Sequence, residues 1–153
     1  MLIELTHTEF ARANVEDVWE IWSDLSTWAV WDQGLEWCKL KEGHRFELNG
    51  EAFLLPKGAP FPLDIRFIEC IPNKSFIDEG VFDLGSIQFS HKVEPYQDGV
   101  RITHSLKYTP ASTKTRGVFE ARMLPKLQQE LPESVRVLAK QVEKKSQKKV
   151  CCP

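Results

Sequence analysis

Residues 13–37 read ANVEDVWEIWSDLSTWAVWDQGLEW, and this stretch holds all five tryptophans of the chain. Asn14, followed three residues later by Asp17, is a typical start of a helix. The apolar residues that follow are spaced three and four apart, which indicates a helix with one buried face. They are Val15, Val18, Trp19, Ile21, Trp22 and Leu25. Ser26 begins a second short helical piece, which carries Trp28 and Trp31 and ends before Gly34.

The segments on either side of these two helices have the period of β-strands. Residues 2–11 alternate between apolar and polar, and from Gly34 to Tyr108 the same period of two recurs between turn residues. The predicted later strands are 35–41, 45–55, 63–71, 75–82, 85–95 and 100–109. The connections are short, so the pattern predicts antiparallel hairpins.

A long helix is predicted at the C-terminal end of the chain. It begins at Ser112 or Thr113 and keeps an apolar stripe that ends at Val142. Pro125 and Pro132 interrupt the stripe, and each removes a backbone donor, so we expect a kink or a short break near one of them. A bent helix cannot lie flat on a sheet along its whole length, which favours a cavity beneath it.

This order of elements resembles the START-like superfamily, the polyketide cyclase/dehydrase and lipid-transport group. The residues that carry the resemblance are Ala13–Trp19 (ANVEDVW), Ser23-Asp24-Leu25, Trp28, Trp31 and the hairpin from His91–Pro95 to Gly99–Thr103. The resemblance implies an α+β helix-grip fold: a curved, seven-stranded antiparallel sheet wrapped around a long C-terminal helix, with two short helices after the first strand. It implies one domain over residues 1–148 and a tail at 149–153. The superfamily includes lipid and hormone carriers, aromatase/cyclases, dioxygenase domains and chaperone co-activators, so the fold does not select an activity.

Strand alternation places two histidines on the apolar face of the sheet. His91 is in phase with Ile87, Phe89 and Val93, and His104 is in phase with Val100, Ile102, Leu106 and Tyr108. If the hairpin turn spans Tyr96–Gly99, the two are direct cross-strand partners. His7 is in phase with Ile3 and Leu5 on the first strand. Hydrogen bonding to the backbone or to a neighbouring hydroxyl is the simplest role for these histidines. Orienting a ligand, acid–base chemistry or metal binding are the alternatives.

The residues predicted to contact a ligand are mostly aromatic or aliphatic and lie on the apolar face or at the corner that closes one end of the cavity. They are Trp28, Trp37, Phe67, Phe89, His91, His104, Tyr108, Phe119, Met123 and Leu127. Core packing is the alternative role for the tryptophans. Asp78 and Glu79 are predicted to be surface acids.

Composition and charge exclude several classes of function. A chain of 153 residues with a formal charge of −2 has no overall attraction to nucleic acid. It has no apolar run long enough to span a membrane, no secretory signal and no cysteine spacing typical of a metal site, so a cytoplasmic protein without a metal or other cofactor is expected. Cys151 and Cys152 follow a lysine-rich segment; lipidation and exposed thiols are both possible there, and exposed thiols are the simpler interpretation.

The leading functional hypothesis is a carrier or sensor that binds a small, largely apolar molecule and performs no covalent chemistry. One alternative is an enzyme similar to the polyketide cyclases and dehydratases, in which His91, His104 or Tyr108 would move protons. A second alternative is a protein-interaction module that binds no ligand.

Overall fold

A computed structural model of the chain describes residues 2–151, with side chains as far as Lys149. The strands are β1 (Ile3–Ala11), β2 (Leu35–Leu40), β3 (Glu51–Pro56), β4 (Leu63–Ile71), β5 (Ser75–Phe82), β6 (Gly85–Tyr96) and β7 (Gly99–Pro110). The helices are α1 (Val15–Trp22), α2 (Trp28–Trp31), α3 (Thr113–Arg122) and α4 (Leu124–Cys151), with a 3₁₀ turn at Leu25–Thr27.

The strands form one seven-stranded sheet in the order β1-β7-β6-β5-β4-β3-β2, and all neighbouring strands are antiparallel. Helix α4 packs against β1 and β7, and α1 and α2 pack against α4. The predicted helix-grip architecture, an α+β fold in which a curved sheet surrounds the terminal helix, is therefore confirmed.

Local hydrogen bonds explain where the helices begin. The backbone N–H of Asn14 donates to Asp17 Oδ2 at 3.3 Å at the start of α1. Ser112 Oγ accepts from the backbone N–H of Thr115 at 3.1 Å, and Thr115 Oγ1 accepts from that of Ser112 at 2.9 Å. These bonds satisfy backbone donors that the first turn of a helix leaves without partners. Trp28 Nε1 donates to the Trp22 carbonyl at 2.8 Å and ties α2 to the end of α1.

The predicted break in the terminal helix falls at Met123, between α3 and α4. Pro125 is the second residue of α4, where a missing N–H costs little because the first turn has no intrahelical acceptor for it. Pro132 lies inside α4. The helix runs on to Cys151, past residue 148 where the domain was predicted to end. The predicted alternatives for the terminal cysteines concern side chains outside the described residues.

The predicted strand over 45–55 is wrong in its first half, because β3 begins only at Glu51. Residues 41–50 form turns, in which the backbone N–H of Gly50 donates to the Glu47 carbonyl at 2.9 Å. Asn49 has a φ of 67°, a left-handed conformation that a strand does not accommodate. The backbone N–H of Glu51 donates to His44 Nδ1 at 3.0 Å, and this bond closes the turn segment.

Candidate functional site

A cavity of about 400 Å³ lies between the sheet and the first half of α4. This volume is within the range of about 300–1,000 Å³ that small-molecule sites occupy. Its apolar lining residues are Trp28, Trp31, Leu35, Leu54, Leu63, Phe82, Ile87, Phe89, Met123, Leu127 and Leu131. Its charged and polar lining residues include Asp32, Lys57, Asp78, His91, His104, Arg122, Lys126, Glu130 and Ser134. The cavity is therefore apolar in most of its wall, with polar groups at separate places.

Part of the predicted ligand-contacting set lines this cavity. These residues are Trp28, Phe89, His91, His104, Met123 and Leu127. They come from α2, β6, β7, the junction of α3 with α4 and the start of α4, so the fold brings distant segments together. That they bind a ligand remains a prediction.

Trp37 does not line the cavity, contrary to prediction. Strand β2 contains an irregularity between Leu35 and Trp37, which changes the alternation of its side chains. Leu35 and Cys38 are buried as a result, whereas Trp37 is half-buried with Lys39 Nζ 5.1 Å from the centroid of its ring. A cation over an indole face is a typical surface contact.

Phe67, Tyr108 and Phe119 point into the protein but belong to its packed core and not to the cavity wall. Phe67 is fully buried, and its ring centroid lies 5.0 Å from that of Phe46. Tyr108 and Phe119 stack with centroids 3.7 Å apart and an interplanar angle of 8°. The Tyr108 hydroxyl donates to the Leu84 carbonyl at 2.6 Å, so its proton is already engaged.

The three predicted histidines lie in one row across the sheet. His7 pairs with His104 between β1 and β7, and His104 pairs with His91 between β7 and β6. The rings of His91 and His104 are 4.7 Å apart, whereas His7 Nε2 lies 2.6 Å from Glu9 Oε2. No cluster of histidine, cysteine, aspartate or glutamate within residues 2–151 has the arrangement of a metal site.

Hydrogen bonds fix the tautomers of the two cavity histidines. The Ser134 hydroxyl donates to the Leu131 carbonyl at 2.7 Å, so it accepts from His104 Nδ1–H at 3.0 Å. Nε2 of His104 is then a lone-pair acceptor, and it has no hydrogen-bond partner among the described residues. His91 Nδ1–H donates to the Phe76 carbonyl at 3.4 Å, which leaves Nε2 of His91 as an acceptor too.

Burial keeps both histidines neutral. It lowers the pKa of His91 to about 3, and burial followed by the neighbouring His91 and His7 holds the pKa of His104 well below its usual range. Desolvation disfavours the charged imidazolium, and no carboxylate compensates for it at either ring. At physiological pH the two rings are therefore neutral, and the Nε2 atom of His104 is enclosed by protein.

Ser134→Ala should lower the free energy of unfolding by about 2 kcal/mol, because His104 Nδ1–H would be left buried without an acceptor. Urea denaturation of the variant and of Ser146→Ala, a half-buried serine on the same helix, measures the difference. Equal stability of the two variants would show that the Ser134 contact contributes nothing.

Asp78 is a buried acid in this cavity, and its prediction as a surface residue is wrong. Its side chain is 2% exposed and faces inward from β5, in phase with Phe76. Burial, followed by the charge of Asp32, raises the pKa of Asp78 to about 8. The period-two pattern that placed His91 inward applies equally to Asp78, so the signal was present in the sequence. Glu79 faces outward, and its Oε2 accepts from Gln88 Nε2 at 2.7 Å.

Two further carboxyls, Asp32 and Glu130, lie on either side of Gly34. Asp32 Oδ1 accepts from the Gly34 N–H at 2.9 Å. A Cβ atom at Gly34 would lie 2.5 Å from Glu130 Oε2 and 3.4 Å from Asp32 Oδ1, so a larger residue there would displace the Glu130 carboxyl. Burial, followed by the charge of Glu130, raises the pKa of Asp32 to about 6, and burial raises that of Glu130. Sequence analysis missed both residues, because a turn aspartate and a helix glutamate resemble surface acids.

The arrangement supports binding and proton transfer better than nucleophilic chemistry. Cys38 lies near the two aspartates, and burial followed by their charges raises the pKa of its thiol, which keeps it protonated. The acceptors at His91 and His104 and the carboxyls at Asp32 and Asp78 are set in apolar walls. Such a site can hold a guest by contact and orient it by hydrogen bonds. None of the helices within residues 2–151 is long and apolar enough to cross a membrane.

Comparison with known proteins agrees with this fold. The fold is that of the START-like superfamily. Within it, the chain belongs to the family described as activator of Hsp90 ATPase homolog 1-like protein, whose model matches residues 12–141. No curated protein matches the sequence significantly.

Solved structures with the same fold have low sequence identity to this chain. The Zhui aromatase/cyclase from Streptomyces sp. R1128 is 12% identical with a TM-score of 0.74, and the alignment covers 95% of this chain and 96% of that one. A structural-genomics protein from Chromobacterium violaceum is 19% identical with a TM-score of 0.68, covering 92% and 98%. A point mutant of Thalictrum flavum norcoclaurine synthase, in complex with a transition-state analogue, is 13% identical with a TM-score of 0.67, covering 95% and 96%. At these identities the likeness shows the fold alone.

Proposed function

We propose that this protein binds a small, largely apolar molecule in the cavity beneath α4 and acts as a carrier or sensor. The observation that carries the proposal is a cavity of about 400 Å³ whose wall is mainly aromatic and aliphatic. Burial of apolar surface there supplies affinity of about 25 cal/mol for each Å² removed from water. A few fixed polar groups then supply orientation.

The wall is preorganised, which favours binding over collapse of the space. Phe76 stacks on His91 with ring centroids 3.9 Å apart, and Trp28 stacks on Phe76 at 5.4 Å. Trp31 lies at 5.3 Å from the His104 ring. These ring–ring contacts fix the side chains of the cavity wall in the ligand-free protein. Binding of a guest therefore does not pay for ordering them. The cavity volume also favours a small ligand over the alternative of a protein-interaction module without one.

Native mass spectrometry of the protein purified from its own host tests this proposal. We expect an additional mass of a few hundred daltons on the folded protein, released on denaturation and identified as a largely apolar molecule. A Leu127→Trp variant prepared in parallel should lose this mass, because Leu127 lines the cavity. A folded wild-type protein that carries no such mass and is not stabilised by any member of a lipid and aromatic library would contradict the proposal.

A second candidate is an enzyme that moves protons on a polyketide-like substrate, and the cavity acid Asp78 favours it. A carboxyl with a pKa of about 8 can donate and recover a proton near physiological pH, whereas burial makes His104 a weak base and encloses its Nε2 in protein. Tyr108 has no place in this chemistry, because it stacks on Phe119 and lies outside the lining. Turnover of a ketide analogue that is lost in a folded Asp78→Asn variant would support the enzyme, and binding without turnover would support the carrier.

A further inference from the structure

We propose that the guest carries a cationic amine, which lies against the carboxyls of Asp78 and Asp32 while its apolar body contacts the aromatic wall. The inference rests on the proposed small-molecule binding and names the chemical class of the ligand. The observation behind this proposal is a set of buried acids on the cavity wall, for which a purely apolar guest provides no role.

Asp78 is the central residue of this argument. It lines the cavity and is almost fully buried. Among the described residues, its pKa is affected by the charge of Asp32 and by its own backbone N–H, and by no cation. A buried carboxyl costs free energy unless it is paired, so an unpaired one on a cavity wall indicates a partner that arrives with the ligand.

None of the described groups that face Asp78 inside the cavity carries a positive charge. Asp32, at the end of α2, is an acid, Cys38 on β2 is a protonated thiol, and His91 on β6 is neutral. Glu130 on α4 adds a further acid beside Asp32. The cationic lining residues are all exposed and lie at the rim: Lys57, Arg122 and Lys126. Lys57 acts on Asp32 and Glu130, and Lys126 acts on Glu130, so neither compensates Asp78.

An amine suits these groups better than the other polar groups an apolar molecule carries. A carboxylate or phosphate would be repelled by Asp32 and Asp78 once these carboxyls are ionised. A hydroxyl would hydrogen-bond to Asp78 in either state but would not compensate the charge of the ionised carboxyl above pH 8. An ammonium compensates the charge, donates up to three hydrogen bonds and is attracted to the faces of Trp28 and Trp31.

Binding of an ammonium to Asp78 has a distinctive dependence on pH. Below pH 8 the carboxyl is protonated in the free protein, so binding releases one proton. The affinity for the amine should therefore rise about tenfold for each pH unit between 6 and 8, and level off above 8. It should fall again near pH 10, where an alkylamine of the lysine type loses its proton. Binding of a neutral guest of the same shape releases no proton from Asp78.

The experiment is isothermal titration calorimetry at pH 6, 7 and 8.5 with three probes of equal size: 2-(1-naphthyl)ethylamine, 2-(1-naphthyl)ethanol and 1-propylnaphthalene. We expect the ratio of amine to hydrocarbon affinity to rise at least thirtyfold from pH 6 to pH 8.5. We expect Asp78→Asn to abolish this rise and Asp83→Asn, at an exposed acid outside the cavity, to keep it.

Each other outcome overturns a different claim. If the hydrocarbon binds and the amine shows no advantage at pH 8.5, the amine proposal is wrong and the proposed function stands. Tightest binding of the alcohol, with no dependence on pH, also overturns it and assigns a hydroxylated guest. If none of the three probes binds up to its solubility limit, the amine proposal is wrong, and the lipid and aromatic library then decides the proposed function.

Discussion

Asp78→Asn should raise the free energy of unfolding of the ligand-free protein, and the gain should grow as the pH rises from 4 to 8. The pKa of Asp78 is raised from 3.8 to about 8 in the folded state. A carboxyl with a raised folded pKa favours folding below its unfolded pKa, and this contribution is lost as the pH rises through the folded value. The loss is about 1.4 kcal/mol for each pH unit, which gives up to about 5 kcal/mol at pH 8. Asparagine keeps the shape of the protonated acid and has no charge to bury.

Urea denaturation of wild type and variant at pH 4, 6 and 8 measures this gain. His91 and His104 have lowered pKa values, so their contribution is present above pH 6.5 and is lost as the pH falls. Both proteins contain these histidines, and the difference between the proteins therefore isolates Asp78. Asp83→Asn, at an exposed acid in the turn between β5 and β6, should change stability by less than about 0.5 kcal/mol. A variant less stable than wild type at pH 8 would show that the Asp78 charge is compensated within the protein.

Leu127→Trp should weaken the binding of 1-propylnaphthalene by about 100-fold, or about 2.7 kcal/mol. Leu127 is half-buried on α4 and lines the cavity. The larger indole has space to extend into the cavity, so it occupies the volume of the guest without disturbing the packed core. Calorimetry measures the affinity, and urea denaturation confirms that the variant is folded.

Leu48→Trp is the matched control for this substitution. Leu48 is 57% exposed in the turns before β3 and does not line the cavity. It should leave the affinity within about twofold of wild type. An unchanged affinity in a folded Leu127→Trp protein would place the guest somewhere other than beneath α4.

The fold was predictable because its determinants are local. The two helix starts at Asn14 and Ser112 and the period of two in β6 and β7 are short-range signals, and each agrees with the global architecture. The register of His91 with His104 followed from the length of one hairpin turn. The break beside Pro125 followed from the chemistry of proline.

The site was only partly predictable, because membership of the cavity wall depends on long-range contacts. Alternation shows that Tyr108 faces inward, but its contact with Phe119 of α3 decides that it lies in packed core. Trp37 was misplaced by an irregularity in β2 between Leu35 and Trp37, which a strict period of two does not allow for. Asp78 was overlooked because a buried unpaired acid is rare, and general frequencies favoured the surface.

The buried acid and the cavity together suggest why the fold keeps a destabilising residue. Binding sites commonly trade stability for function, and the proposed role of Asp78 in binding an amine is such a trade. Asp78→Asn is expected to stabilise the protein and to remove its preference for an amine. Both effects have the same cause, which is the free-energy cost of ionising a buried carboxyl.

Methyl NMR of the protein during titration with 1-propylnaphthalene tests most directly whether the apolar cavity holds a guest. We expect large, saturable shifts at the methyl groups of Leu54, Met123, Leu127 and Leu131, all of which line the cavity. The methyl groups of Leu2, Leu48 and Val81, which are exposed, should stay unchanged. Shifts confined to the exposed methyl groups, or none at millimolar probe, would contradict the account.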